Sequence, residues 1–189
     1  NGELEARFNV TGRSAFDMTF DPESQKFQIE YKKANLPAYP ILKAMGVSDE
    51  ALAHAWGHDI LKANQELKRN ATTLAQFHRT STNGQTPATD QEAIDNLKKV
   101  MEASKLRPEV TTMTLGKPFE HVTGDAMLLA GKKLLQVQQG HPEDDRDAIV
   151  FKTLRATGEL LHDQVKNSAK VLTHKIQRQI NKGENPKLS

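Results

Sequence analysis

Asp144, Asp145 and Asp147 put three carboxylates within four residues, and Lys152 and Arg155 follow soon after. Two chemistries suit such a block. Carboxylate oxygens gather Mg²⁺, as many phosphoryl-transfer enzymes require, but that use normally needs a second acidic motif on a facing helix and none is readable. Alternatively the acids cap a helix or pair with neighbouring basic side chains. His54 and His58, in HAWGHD, are four apart with Asp59 alongside, a spacing that sets two imidazoles on one helical face. A zinc protease carries a glutamate after the first of these histidines. Ala55 stands there and Gly57 weakens a helix, so two surface histidines are expected, with Trp56 a packing residue. No Gly-rich phosphate loop, nucleophile elbow or Ser/His/Asp arrangement is present.

The elements that position these residues follow from hydrophobic period. Phe16, Met18 and Phe20 alternate with polar residues, Asp21 to Gln25 supplies turn chemistry, and Phe27, Ile29 and Tyr31 alternate again, which predicts an antiparallel hairpin. Pro37 and Pro40 end that sheet, and a short helix over Ile41 to Met45 is stopped by Gly46. Ser48 before Asp49 and Glu50 reads as a helix N-cap with acids in the first turn. A single helical stretch is expected from Asp59 to about Arg79, then a loop over Ser81 to Thr89 with its Asn-Gly pair. Asp90 to Ser104 is amphipathic through Ala93, Ile94, Leu97, Val100 and Met101. Thr111 to Leu115 is β-branched and reads as a strand or an extended link. A helix after Thr123 carries Leu128, Leu134 and Leu135 and ends near Gly140. Leu161, Val165, Ala169, Leu172, Ile176 and Ile180 then mark a long amphipathic helix, basic on its polar side, closed by Gly183 and Pro186.

Composition narrows the class. In 189 residues, 37% are hydrophobic, 26% charged and 5% aromatic, which fits a polar, helix-rich domain. A formal net charge of +2 excludes the strongly basic profile of an autonomous nucleic-acid binder but leaves room for a local basic face. Without cysteine there are no disulfides and no thiolate metal sites, in keeping with a reducing, cytoplasmic setting. No apolar run approaches the roughly 20 residues of a membrane span, and no signal peptide precedes the first charges. A first residue of Asn1 rather than Met points to a chain processed or cut from something longer.

Two blocks, in order, carry a resemblance. The first runs from Phe20, Asp21 and Pro22 through Phe27, Lys32, Lys33, Leu36 and Pro37 to Ile41, Leu42, Ala44 and Gly46. The second has Leu115, Gly116 and Lys117, a helix, then Asp144, Asp145 and Asp147 with Lys152, Arg155, Gly158 and Glu159. Together they resemble the N-terminal half of the β subunit of multisubunit DNA-directed RNA polymerases, in its lobe and protrusion. The likeness covers about the first 46 and last 75 residues; the middle matches only in position. Ala148, Ile149, Val150 and Phe151 replace the family's His-x-Gly-Asn, and Ala15 stands where bacterial relatives often carry tryptophan, a drift that fits a divergent enzyme of phage or viral origin.

The resemblance implies an α+β fold: a mostly helical lobe with a small N-terminal antiparallel hairpin from the protrusion. It divides the chain into a protrusion edge over 1–46, a compact helical lobe over 47–143, and an acidic loop with a long basic helix over 144–189. It implies a non-catalytic wall of the DNA cleft, with Asp147, Lys152 and Arg155 near the non-template strand and the downstream duplex close by. Other polymerase subunits would be its partners, with no membrane involved. It implies no cofactor in this segment, since the catalytic Mg²⁺ belongs to the other large subunit. Two rivals remain open on the residues alone: a helical module that docks a partner through the Leu161 to Ile180 face, and a Mg²⁺-dependent phosphoesterase built on Asp144, Asp145 and Asp147.

Overall fold

The computed structural model describes residues 2–10 and 16–144, all within one compact unit, Asn1–Asp145. The order is four strands followed by seven helices: β1 (Leu4–Phe8), β2 (Phe16–Asp21), β3 (Lys26–Tyr31), β4 (Ala34–Pro37), then α1 (Ala38–Ala44), α2 (Asp49–Trp56), α3 (His58–Gln65), α4 (Asn70–Ser81), α5 (Asp90–Glu102), α6 (Pro108–Leu115) and α7 (Gly124–Gln138). The fold is α+β. The predicted hairpin is present as β2 and β3, and it is widened by a strand on each side into an antiparallel meander in the order β1-β2-β3-β4.

One face of the sheet is aromatic. Phe16, Met18, Phe20, Phe27, Ile29, Tyr31 and Leu36 are all buried there. Register places Phe8 opposite Phe16, Phe16 opposite Tyr31, and Phe20 opposite Phe27, whose ring centroids lie 4.6 Å apart. Cross-strand pairs of this kind are the unit of sheet stabilisation. Helices roof that face: α7 lies over β1 and β2, α1 and α3 over β3, and α4 over β4. Trp56 stacks on Phe27 at 4.3 Å and Phe77 on Tyr31 at 5.1 Å, so two helices are keyed into the ladder by their own rings. The buried cluster is continuous from Phe8 to Leu135 and draws on residues before and after position 46.

The opposite face is polar. Arg7 grips Asp17 across the β1–β2 pair through Nε and Nη2 at 2.9 and 3.0 Å, and Nη2 also reaches Glu5 at 3.0 Å. The hydrogen bond to Asp17, followed by its charge, raises the Arg7 pKa above the ordinary value.

The turns are unequal. Between β2 and β3, Asp21 accepts the Glu23 N–H at 3.0 Å on one carboxylate oxygen and the Ser24 hydroxyl on the other. Between β3 and β4 only Lys32 and Lys33 intervene, with φ of 46° and 70°. Both central residues of such a two-residue turn need positive φ, a conformation that Asn-Gly adopts cheaply and that costs an ordinary side chain on the order of 1 kcal/mol or more.

Several predicted boundaries move, each for a local reason. Helix α1 begins at Ala38 rather than Ile41, because Pro40 falls in the first turn, where no intrahelical N–H is required. The stretch from Asp59 to Arg79 is two helices. Asn70 ends the first by donating its side-chain amide to the carbonyls of Asn64 and Gln65, at 2.8 and 3.0 Å. The segment Thr111 to Leu115 is neither strand nor link but the body of α6. Pro108 opens it, Gly116 closes it at φ 76°, and the hydroxyls of Thr111, Thr112 and Thr114 bond back to carbonyls three or four residues earlier. The N-caps at Ser48 and Thr123 are as expected, accepting from Ala51 and Ala126 at 3.2 and 3.1 Å. The segment holding α6 is pinched off where Lys105 bridges His121, with Leu106 N–H on the Glu120 carbonyl at 2.8 Å.

Candidate nucleic-acid interface

The acidic block is reached through α7, whose position is set by two glycines. A Cβ on Gly124 would lie 2.7 Å from Val47 Cγ2, and one on Gly131 would lie 2.8 Å from Trp56 Nε1 and 3.1 Å from Met18 Cε. These absent side chains let α7 settle on α2 and the sheet, with Ala126, Met127, Ala130, Leu134 and Leu135 turned inward. The indole Nε1 of Trp56, pressed against Gly131, is buried and has no hydrogen-bond partner among the described residues.

Beyond α7 the chain reverses. Gly140 donates to the Val137 carbonyl and His141 to that of Gln136, at 2.9 and 3.0 Å. The following residues end at Asp144, where the described structure stops. There the Lys133 ammonium binds Asp144 Oδ2 at 2.5 Å and the Thr114 carbonyl at 2.9 Å. One cation on α7 therefore ties the first acid of the block to the C-terminal turn of α6. This arrangement sets a positive charge against one carboxylate oxygen of Asp144. Among the described residues no group of three or more His, Cys, Asp or Glu side chains is placed to hold an ion.

Asp145 and the three residues expected to meet DNA, Asp147, Lys152 and Arg155, lie outside the described residues, as does the Leu161 to Ile180 helix. The HAWGHD pair is described. His54 and His58 do not share a helical face, because Gly57 at φ 86° ends α2 at Trp56 and α3 restarts at His58. Trp56 is 3% exposed and packs as expected. The chain matches no protein-family model and no curated protein.

Lys133 is the residue the spacing did not reveal. Its partner is eleven residues downstream, and Lys132 beside it has the same sequence surroundings. Among the described residues, no helix is long and apolar enough to cross a membrane.

Proposed function

We propose that this chain is the lobe, with the adjoining edge of the protrusion, of a divergent β subunit of a multisubunit DNA-directed RNA polymerase, encoded by a phage or virus and working in its host's cytoplasm. The observation that carries the proposal is the pair of ordered blocks, Phe20 to Gly46 and Asp144 to Glu159. The first block forms an unbroken run of hairpin, strand β4 and helix α1, the kind of rigid unit on which a neighbouring loop can be mounted. The second begins at a carboxylate already held by Lys133.

The chemistry is that of a wall, not a catalyst. Lys152 and Arg155 hold phosphates of the displaced non-template strand, and Asp147 accepts hydrogen bonds from unpaired base edges. Affinity comes from the assembled enzyme, so the isolated chain binds DNA weakly. Mg²⁺ for nucleotide addition is held by another polymerase subunit.

The test is the salt dependence of DNA binding by the assembled polymerase. Lys152→Ala with Arg155→Ala removes two single-strand phosphate contacts and flattens the slope of log K against log salt by about 1.4. An unchanged slope takes both residues out of the DNA path. Thermal stabilisation by Mg²⁺ that Asp145→Ala abolishes would favour the phosphoesterase instead.

A further inference from the structure

The β3–β4 turn spends strain on two lysines. A two-residue turn with positive φ at both positions favours Asn-Gly, yet Lys32 and Lys33 occupy it. Helix capping accounts for Lys32: its Nζ lies 3.4 and 3.5 Å from the Thr80 and Ser81 carbonyls at the end of α4, and 5.6 Å from the Tyr31 ring centroid. Lys33 has no such occupation. It is exposed, and it makes no ion pair among the described residues.

The neighbourhood holds more cations than acids, with Glu30 opposite Asn35 and Glu66 just before Lys68 as its bordering carboxylates. At the other end of α4, Arg69 donates to the Asn35 carbonyl of β4 at 2.6 Å. Lys68 and Arg79 are exposed and, like Lys33, unpaired with any acid among the described residues. No Asp or Glu occurs from Leu67 to Thr89 or from Tyr31 to Ser48. Two of the four acids of α5, which packs beside α4, have partners of their own: Glu92 takes the Ala88 N–H and faces His78, and Asp95 accepts from Gln91. A helix of α4's length spans roughly 18 Å, about five phosphate steps along one strand of a duplex.

We infer that the β3–β4 turn and the exposed side of α4 form a second phosphate-facing surface, separate from the 144–155 block, that seats the backbone of duplex DNA. Lys33, Lys68 and Arg79 supply the mobile charges, and Lys32 and Arg69 fix the seam between β4 and α4 that carries them. The inference takes only the class of polyanion from the polymerase reading.

The experiment titrates the full 189-residue chain with a fluorescein-labelled duplex of about 20 base pairs over a range of salt. Lys33→Ala with Lys68→Ala and Arg79→Ala lowers the slope of log K against log salt by roughly 2 to 3. A charge-matched control, Lys62→Ala with Lys98→Ala and Lys99→Ala, leaves the slope in place. Lys33→Gly, which relieves the turn, melts a few degrees higher and binds the duplex more weakly. Equal losses in both triple variants, no duplex binding at low salt, or a Lys33→Gly protein that is no more stable than the parent or binds unchanged overturns the inference. Lys152→Ala with Arg155→Ala, titrated at low salt with a single-stranded oligonucleotide of about 20 nucleotides, keeps the two readings apart. Loss there with a silent Lys33 triple sinks this surface and spares the polymerase reading; the reverse counts against that reading and spares this surface.

Discussion

The side-chain oxygen of Asn64 accepts the backbone N–H of Phe27 at 2.8 Å, across 37 residues of sequence. Strand β4 stops with Pro37 opposite Gln28, so the Phe27 N–H has no strand to meet on that side, and α3 supplies the acceptor. The amide nitrogen of Asn64 completes the arrangement by donating to the Gln25 and Ile60 carbonyls, at 2.9 and 2.8 Å. The residue is fully buried with all of these bonds made.

Asn64→Ala is therefore expected to cost about 3 kcal/mol, near 1 for each bond, with extra cost because two backbone groups of the β2–β3 turn region lose their partners. Urea unfolding followed by Trp56 fluorescence measures it. A midpoint unchanged from the parent would mean that water replaces the amide without loss.

Gly131→Ala tests the approach of α7 to Trp56. Alanine is favoured over glycine in a helix by about 1 kcal/mol, but its Cβ would meet Nε1 at 2.8 Å. Overpacking wins, and a net destabilisation of roughly 1 kcal/mol or more is expected, with a shifted tryptophan emission maximum. A variant more stable than the parent would show that α7 slides freely.

Acid should loosen the fold from two surface carboxylates. The Ser24 hydroxyl, with help from the Glu23 and Ser24 backbone, holds Asp21 below its ordinary 3.8, and Glu50's own N–H together with the Ser48 hydroxyl holds Glu50 below 4.5. Both folded pKa values are depressed, so the unfolded chain binds more protons in this range and stability rises with pH. The contribution is complete above the ordinary values and is lost as pH falls through the folded ones. Asp21→Asn with Glu50→Gln flattens the melting temperature between about pH 5 and pH 3; an unaltered curve would assign the acid sensitivity to other groups.

Lys133→Ala frees Asp144 at little thermodynamic cost. The pair is partly solvated, at 26% and 44% side-chain exposure, so a stability change within about 1 kcal/mol is expected. A shifted Asp144 carboxylate carbon resonance is the specific sign. An unshifted resonance would show that the pair does not form in solution.

The sheet is legible where both strands alternate large apolar residues, as Phe16, Met18, Phe20 and Phe27, Ile29, Tyr31 do. Strand β1 is not, because Leu4, Ala6 and Phe8 offer a small residue in the middle of a short, charged run. Strand β4 is masked by its own ending in Pro37 and by α1 starting at the next residue. Helix α6 escapes because three threonines in five positions favour a strand by propensity, while the cap chemistry of Pro108 and Gly116 decides otherwise. Breaks within the long helical stretches depend on single polar side chains: Asn70 closes α3, and its role is visible only once its amide is seen on the carbonyls of Asn64 and Gln65. At the acidic block, period and spacing locate the carboxylates but not the ammonium that holds the first of them.

Among the described residues all four strands precede every helix, and this sets a hazard during synthesis. The aromatic face of Phe16, Phe20 and Phe27 leaves the ribosome well before Trp56, Phe77 and α7 exist to cover it. At ordinary translation rates the interval from Pro37 to Gln138 lasts roughly 5 to 20 s, long enough for an uncovered meander to stick to another nascent chain. Yield in the cell should then track the availability of chaperones that shield early hydrophobic sheets more closely than it tracks the stability of the finished fold.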